Sequence, residues 1–316
     1  MTKIAILDDY QQVALTLADW QQLPASCHVE VFSDHSPIGE ALVQRLEPFD
    51  VLCIMRERTP FPRALLRRLP NLKLLITSGA RNAAIDVTAA RQLGIRVCGT
   101  ESTPHATPEL AIGLILALAR GLLKETNSVR SGRWQVGLGR ELYGSTLGVL
   151  GLGRLGSQVA KLGQAFGMHV IAWSQNLTEE RARETDAVKV SREELFTKSD
   201  FLTIHLKLGD RSRGLVNAES LALMQPTAFL INTSRGPIID EAALLDALKN
   251  ERIAGAALDV YDEEPLPADH PLRTAHNVLC TPHIGYVTEQ TYRIFYRGMV
   301  DVILSFLAGD PLPELA

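Results

Sequence analysis

The sequence predicts an α/β protein built from two doubly wound parallel sheets. Three observations carry this. The chain is 316 residues long, about twice a common domain length. Short, continuously apolar runs alternate with helical patterns from the first residues onward, as parallel strands covered on both faces do. That alternation pauses once after Thr103 and restarts at Thr146.

In the first stretch the strand candidates are 3-KIAIL-7, 28-HVEVF-32, 51-VLCIM-55, 73-KLLIT-77 and 95-IRVCG-99. Helical patterns such as 38-IGEALVQRLE-47 and 62-PRALLRRL-69 separate them. Thr103-Pro104 and Thr107-Pro108 then lead into a long apolar helix expected to end near Leu123, and a loop rich in Gly, Arg and Trp follows, 131-SGRWQVGLGRELYGS-145. The rhythm resumes at 146-TLGVLGLG-153 and continues through 168-MHVIAW-173, 201-FLTIHL-206, 228-AFLIN-232, 254-AGAALDV-260 and 277-NVLCT-281. The last segment, 287-VTEQTYRIFYRGMVDVILSFLAG-309, is long and amphipathic and is free to pack back on the first domain. The expected division is a discontinuous first domain, residues 1–100 plus 285–316, and a second domain over 101–284.

Composition bounds the function. Apolar residues make up 46% of the chain, enough for real cores, and charged residues 22% with a net charge of −4, so no basic excess favours nucleic acid. The start, MTKIAILDDY, enters a strand-like run without a signal-peptide core, and 110-LAIGLILALA-119 is too short to span a bilayer. Cys27, Cys53, Cys98 and Cys280 are scattered with no CxxC pair, which fits reduced thiols in the cytoplasm better than disulfides or zinc. No histidine and acid cluster has metal-ligand spacing, so no metal site is expected. Arg63, Arg67 and Arg68 lie at helical spacing and read as a solvated face.

The clearest chemical motif is Gly151-x-Gly153-x-x-Gly156, preceded by a strand and followed by a helix pattern. In that context it predicts a Rossmann-type dinucleotide-binding domain. Gly151 permits the tight turn, Gly153 the close approach of a pyrophosphate, and Gly156 the packing of helix on strand. The amides of Arg154 and Leu155 would point at the phosphates from the positive end of the helix. The next strand ends in Ser174-Gln175-Asn176, where an NAD-selective site carries an acid. No arginine follows immediately to hold a 2′-phosphate, so NAD and NADP both remain open.

Three more strand ends carry unusual residues. Asn232-Thr233 leads to Arg235; 255-GAALDVYDEEPL-266 ends in Asp259 and an acidic run; and 279-LCTPHIGYVT-288 presents His283. In an open parallel sheet ligands sit outside the carboxyl ends of strands, so a cation, an acid and a histidine placed there can converge.

The spaced set GLGRLG, NTSRG, GAALDVYDEEP and TPHIG closely resembles the D-isomer-specific 2-hydroxyacid dehydrogenases, over nearly the whole chain. That family includes glyoxylate and hydroxypyruvate reductases and 3-phosphoglycerate dehydrogenase. The resemblance implies a catalytic arginine at Arg235, a glutamate at Glu264 and a histidine at His283. It places Asp259 near the nicotinamide, and Gly79 and Ala80 in a first-domain turn whose amides hold the substrate carboxylate. Ser174 and Thr233 are counted with the cofactor-binding residues. The first domain would be the substrate domain and the second the NAD(P)-binding domain.

The residue types suit reduction of a 2-oxo acid. Arg235 can hold a carboxylate with both arms of its fork and polarise the ketone. His283 can donate a proton near neutral pH, and a carboxylate on its other ring nitrogen fixes the tautomer and raises its pKa, by roughly 1–3 pH units in salt-bridged cases. Choosing Glu264 over Glu263 rests on its place before Pro265, as the family has it. His205 is expected to line the cofactor site without chemistry, and His105 and His270 to be loop residues.

Three departures from the family pattern bear on the substrate. Arg81 stands where the turn usually has glycine, Ala84 replaces an asparagine, and Tyr286 follows HIG where a small residue is common. Arg56 and Arg58 either favour an anionic side group or face water. Trp134 is either core packing or part of a homodimer contact, since the family pairs through its coenzyme domain. The rival reading from another class is a non-catalytic, dinucleotide-sensing protein of the corepressor type. It predicts extra interaction tails, which are essentially lacking here. Formate dehydrogenases commonly have glutamine where Glu264 stands.

Overall fold

The apolar runs of the first stretch become one five-stranded sheet in the computed structural model, which describes residues 1–315. Its elements follow in order: β1 (Thr2–Ile6), α1 (Ala14–Leu17), β2 (Cys27–Val31), α2 (Glu40–Leu46), β3 (Val51–Ile54), α3 (Arg63–Leu66), β4 (Leu74–Thr77), α4 (Val87–Gln92) and β5 (Arg96–Gly99). The strands pair in parallel in the order β2-β1-β3-β4-β5. Every residue of β3 and β4 is buried, as central parallel strands with two covered faces require. The edge strand β2 instead exposes His28 and Glu30. Asp86 starts α4 by accepting the Ala89 amide.

The second unit, Pro104–Val287, begins with α5 (Ala106–Arg120) and α6 (Leu122–Arg130). The expected single helix to Leu123 is broken at Gly121, which takes a left-handed φ of 59°, and the two pieces meet at 62°. A bond from a later segment accompanies the break. The Arg140 amide takes the Ala119 carbonyl at 2.7 Å, an acceptor that a continuing helix would use for residue 123. Among the described residues no single helix is long and apolar enough to cross a membrane. In α5 the apolar side chains of Ala111, Ile112, Leu114, Ile115 and Ala119 are buried in a core that also holds Leu147, Val149 and Val159.

The remaining elements are β6 (Thr146–Leu150), α7 (Arg154–Ala165), β7 (His169–Trp173), α8 (Glu179–Arg183), β8 (Val188–Lys189), α9 (Arg192–Lys198), β9 (Phe201–Ile204), α10 (Ala218–Leu223), β10 (Phe229–Asn232), α11 (Glu241–Lys249), β11 (Gly255–Leu258) and β12 (Val278–Cys280). They form a seven-stranded parallel sheet in the order β12-β11-β10-β9-β6-β7-β8. The winding direction reverses between β6 and β9, which is where a crevice opens in such sheets.

The chain then returns to the first unit, Met1–Thr103 with the segment from Thr288 onward, through α12 (Glu289–Ala308). One face of α12 buries Tyr292, Phe295, Tyr296, Met299 and Ile303, at the spacing of an amphipathic helix. Tyr296 sits edge-on to Trp20 at 6.5 Å. Beyond the helix the Leu315 amide bonds to the Val97 carbonyl at 2.8 Å, fastening Leu315 to β5.

Candidate active site

The turn between β6 and α7 has the geometry of a phosphate cradle. Gly151 takes φ 104° and donates its amide to the Trp173 carbonyl at 2.9 Å. A Cβ on Gly151 would lie 2.9 Å from the His205 carbonyl carbon, and one on Gly156 would lie 2.1 Å from the Gly151 oxygen. Gly153 faces open space, with nothing within 4 Å of where its Cβ would be. Arg154 and Leu155 are the first two residues of α7, whose amides have no acceptor inside the helix. The Thr233 side chain at the end of β10 is buried, yet its Oγ1 has no hydrogen-bond partner among the described residues. An open glycine cradle and an orphaned buried hydroxyl both fit a bound dinucleotide.

Around this turn the remaining polar groups are quiet. His205 bonds through Nε2 to Thr203 Oγ1 at 2.9 Å, and desolvation pushes its pKa down to about 4, so its ring is neutral. At the end of β7, Ser174 is partly buried and its carbonyl accepts the Leu177 amide at 3.0 Å. Arg181 is engaged by Glu184, the residue that follows its helix.

The ends of β10, β11 and β12 carry Arg235, Asp259 with Glu264, and His283. Asn232, fully buried, shapes the first of these loops: its Nδ2 donates to the Arg235 carbonyl at 2.9 Å and its Oδ1 accepts the Ser234 amide at 3.0 Å. Gly236 lets this loop lie against the next one, since a Cβ there would fall 2.1 Å from the Tyr261 carbonyl carbon. The Arg235 Nη1 donates to the Ser234 carbonyl at 2.6 Å.

His283 and Glu264 meet directly, Nδ1 to Oε2 at 2.5 Å. The other carboxylate oxygen of Glu264 accepts the Tyr261 amide at 2.9 Å. An ionised carboxylate can only accept, so the pair assigns the proton to Nδ1 and does not involve Nε2. Burial alone would raise the Glu264 pKa. The hydrogen bond and charge of His283, the Tyr261 amide and the positive charge of Arg235 outweigh it and hold this carboxyl below its ordinary range. Arg235 therefore acts on the same carboxylate that binds the histidine.

Asp259 holds the backbone that presents His283. Fully buried, it accepts Thr281 Oγ1 at 2.6 Å, the Ile284 amide at 2.8 Å and the Gly285 amide at 2.8 Å. Thr107 on α5 donates to the Gly285 carbonyl at 2.9 Å from the other side. Between these anchors His283 takes a left-handed φ of 52°, rare for a residue with a side chain and held here by the surrounding bonds. Burial raises the Asp259 pKa despite the three donors and the nearby His283. Tyr261, whose hydroxyl reaches the Leu258 and Thr281 carbonyls at 3.0 and 2.9 Å, ties the ends of β11 and β12 together. Asn232, Tyr261, Thr281 and Thr107 are parts of this site that the sequence did not single out. Three of them stood inside quoted motifs, Asn232 opening NTSRG, Tyr261 within GAALDVYDEEP and Thr281 opening TPHIG, whereas Thr107 stood in none of these.

In the first unit, Gly79 and Ala80 form the turn after β4. Gly79 has φ 80° and donates its amide to Thr100 Oγ1 at 2.9 Å. The Arg56 guanidinium lies over the turn: its Nη1 bonds the Ser78 carbonyl at 2.9 Å and the Arg81 carbonyl at 3.2 Å. Asn82 braces the turn from below through Thr77 Oγ1 at 2.9 Å and the Arg56 carbonyl at 2.5 Å. Arg58 is turned elsewhere, to the Asp8 carbonyl and the Tyr292 hydroxyl. His105 precedes α5 and bonds Gln158, while His270 bonds Glu241. No group of three or more His, Cys, Asp or Glu among the described residues could hold a metal ion.

Comparison with known proteins identifies the family. Residues 112–285 match the model of the D-isomer specific 2-hydroxyacid dehydrogenase NAD binding domain. The chain is 38% identical to a glyoxylate reductase of Aeropyrum pernix, over 91% of this chain and 89% of that one. It is 36% identical to a D-3-phosphoglycerate dehydrogenase of Methanocaldococcus jannaschii over 98% of its length, and spans 58% of that longer protein. A crystal structure of a phosphoglycerate oxidoreductase from Vibrio cholerae O395 superposes with a TM-score of 0.93 at 38% identity, covering 98% of this chain and 100% of that one. The chain belongs to the D-isomer specific 2-hydroxyacid dehydrogenases.

Proposed function

We propose that this protein reduces a 2-oxo acid to the D-2-hydroxy acid, and catalyses the reverse oxidation, with NADH or NADPH. The observation that carries the reading is the 2.5 Å bond between His283 Nδ1 and Glu264, within the field of Arg235. Arg235 binds the substrate carboxylate through its fork and polarises the ketone. His283 Nε2 gives its proton to the ketone oxygen as that oxygen gains negative charge, and Glu264 stabilises the imidazolium before transfer. A bound nicotinamide supplies the hydride that adds to C2 of the acid. In the reverse direction His283 takes the hydroxyl proton.

The unit with the Gly151 turn is the nucleotide domain in this reading, and Thr233 and Asp259 lie on its nicotinamide side. The unit with the Gly79–Ala80 turn is the substrate domain. Because the Gly79 amide is held by Thr100, Ala80 is the amide assigned to the substrate carboxylate. Ser174 at the end of β7 leaves room for either cofactor. Trp134, Leu138 and Tyr143, largely exposed along one loop, are the surface assigned to a homodimer. Unpaired Cys27, Cys53, Cys98 and Cys280 suit a cytoplasmic enzyme.

Oxidation of NADH and NADPH with glyoxylate, hydroxypyruvate, pyruvate and phenylpyruvate tests the reading, run beside His283→Ala. The expected result is turnover that falls by about 10²–10⁴ in the variant while cofactor binding is kept. If both cofactors bind and no acid is turned over, the dinucleotide-sensing alternative replaces it. A His283→Ala protein as active as the wild type removes the proton-donor role.

A further inference from the structure

Three restraints surround the His283 imidazole, and two have been described: the backbone clamp of Asp259 and Thr107, and the Glu264 bond at Nδ1. The third is Tyr286. The Val287 amide bonds the Ile284 carbonyl at 2.8 Å, so the chain reverses directly after His283 and brings Tyr286 back to it. The two rings meet nearly at right angles, 72° between planes, with centroids 5.5 Å apart. That spacing is within the range of a favourable aromatic pair. The Tyr286 hydroxyl oxygen is shielded from solvent, while the residue as a whole is partly buried.

We propose that Tyr286 is a positioning residue for the proton transfer, walling the imidazole so that His283 Nε2 stays on the line to the substrate oxygen. The Glu264 bond fixes one edge of the imidazole and leaves the ring able to tilt about that edge. A wall of aromatic carbon at 5.5 Å removes the tilt on one side. A displacement of about 1 Å at a reacting atom can cost on the order of 10²-fold in rate, so a partial loosening should be visible in kcat. The inference rests on the reading of His283 as proton donor, and its test is chosen to separate the two.

The test compares wild type, Tyr286→Phe and Tyr286→Ala in the intact protein. Tyr286→Leu, which keeps more of the ring's volume, is the replacement if the alanine protein does not fold. Two readouts are taken: kcat and KM for the acid that the wild type reduces best, and the downfield proton signal of the His283 Nδ1–H in the Glu264 bond. Expected are a fall in kcat of about tenfold in Tyr286→Ala, KM and NADH affinity changed less than about threefold, and a broadened Nδ1–H signal. Tyr286→Phe restores both readouts. A kcat within twofold of wild type, a loss that phenylalanine does not rescue, or an unchanged Nδ1–H signal in the alanine protein overturns the proposal. If no 2-oxo acid is turned over, the functional reading fails by itself and the proton signal still decides whether Tyr286 holds the ring.

Discussion

Asp259 and Gly285 are in contact so close that it admits no further carbon at ease. The Asp259 Oδ2 accepts the Gly285 amide at 2.8 Å, and a Cβ on Gly285 would stand 3.1 Å from that oxygen and 3.3 Å from Thr107 Oγ1. Gly285→Ala should therefore push the His283 loop off its two anchors. The expected cost is about 1–3 kcal/mol of stability, with a fall in kcat larger than the rise in KM. Thermal melts and steady-state kinetics on the same preparation check it. A variant with wild-type kcat would show that the loop can absorb the carbon without moving the histidine.

Glu264 gives a pH dependence with a definite sign. Its folded pKa lies below the ordinary glutamate value, so its ionised form is favoured by the fold. The stability this contributes is present above the unfolded value, roughly pH 4.3, and is lost as pH falls through the lower folded value. Melting temperature measured from pH 7 down to pH 3 should show wild type above Glu264→Gln at neutral pH and the gap closing in acid. A constant gap would place the effect of Glu264 elsewhere than in its charge.

Arg235→Lys keeps the charge and loses the fork. Bidentate binding of a carboxylate needs the planar guanidinium, so substrate affinity should suffer. The expected outcome is a fall in kcat/KM of about 10²-fold with NADH binding, followed by nicotinamide fluorescence, unchanged. Equal activity would mean that a point charge suffices.

Ser174→Asp tests the ribose end of the cofactor site. A carboxylate at the end of β7 repels a 2′-phosphate and accepts bonds from ribose hydroxyls. NADPH affinity should fall at least about tenfold, measured by fluorescence titration, while NADH affinity holds or improves. NADPH binding that survives the substitution would move the 2′-site away from Ser174.

Much of the sheet scaffold could be read from the sequence because its signal is local. A buried parallel strand must be a short apolar run, and a strand, GxGxxG and helix in succession have one common use. The Glu264–His283 contact was legible only through resemblance, since nothing within 255-GAALDVYDEEPL-266 distinguishes Glu264 from Glu263 until a partner is known. The break at Gly121 was not legible. It is accompanied by the Arg140 amide capturing the Ala119 carbonyl, a bond between segments whose meeting no periodicity announces. The same holds for Arg56. Sequence left it between solvent and substrate, and the structure lays its guanidinium across the Gly79 turn, bonded to two backbone carbonyls.

The return of α12 to the first unit has a consequence for the order in which the protein is made. Tyr296, completely buried beside Trp20, and Leu315, bonded to Val97, belong to the same unit as the opening strands. A ribosome delivers those strands first and their last packing partners after all of Pro104–Val287. The unit that emerges second can thus finish folding before the one that emerges first, which must wait with its apolar strands incompletely covered. Nascent β1 to β5 then stay open to chaperones until α12 arrives, and truncations inside α12 should harm the amino-terminal unit and spare the Pro104–Val287 unit, whose chain is already complete.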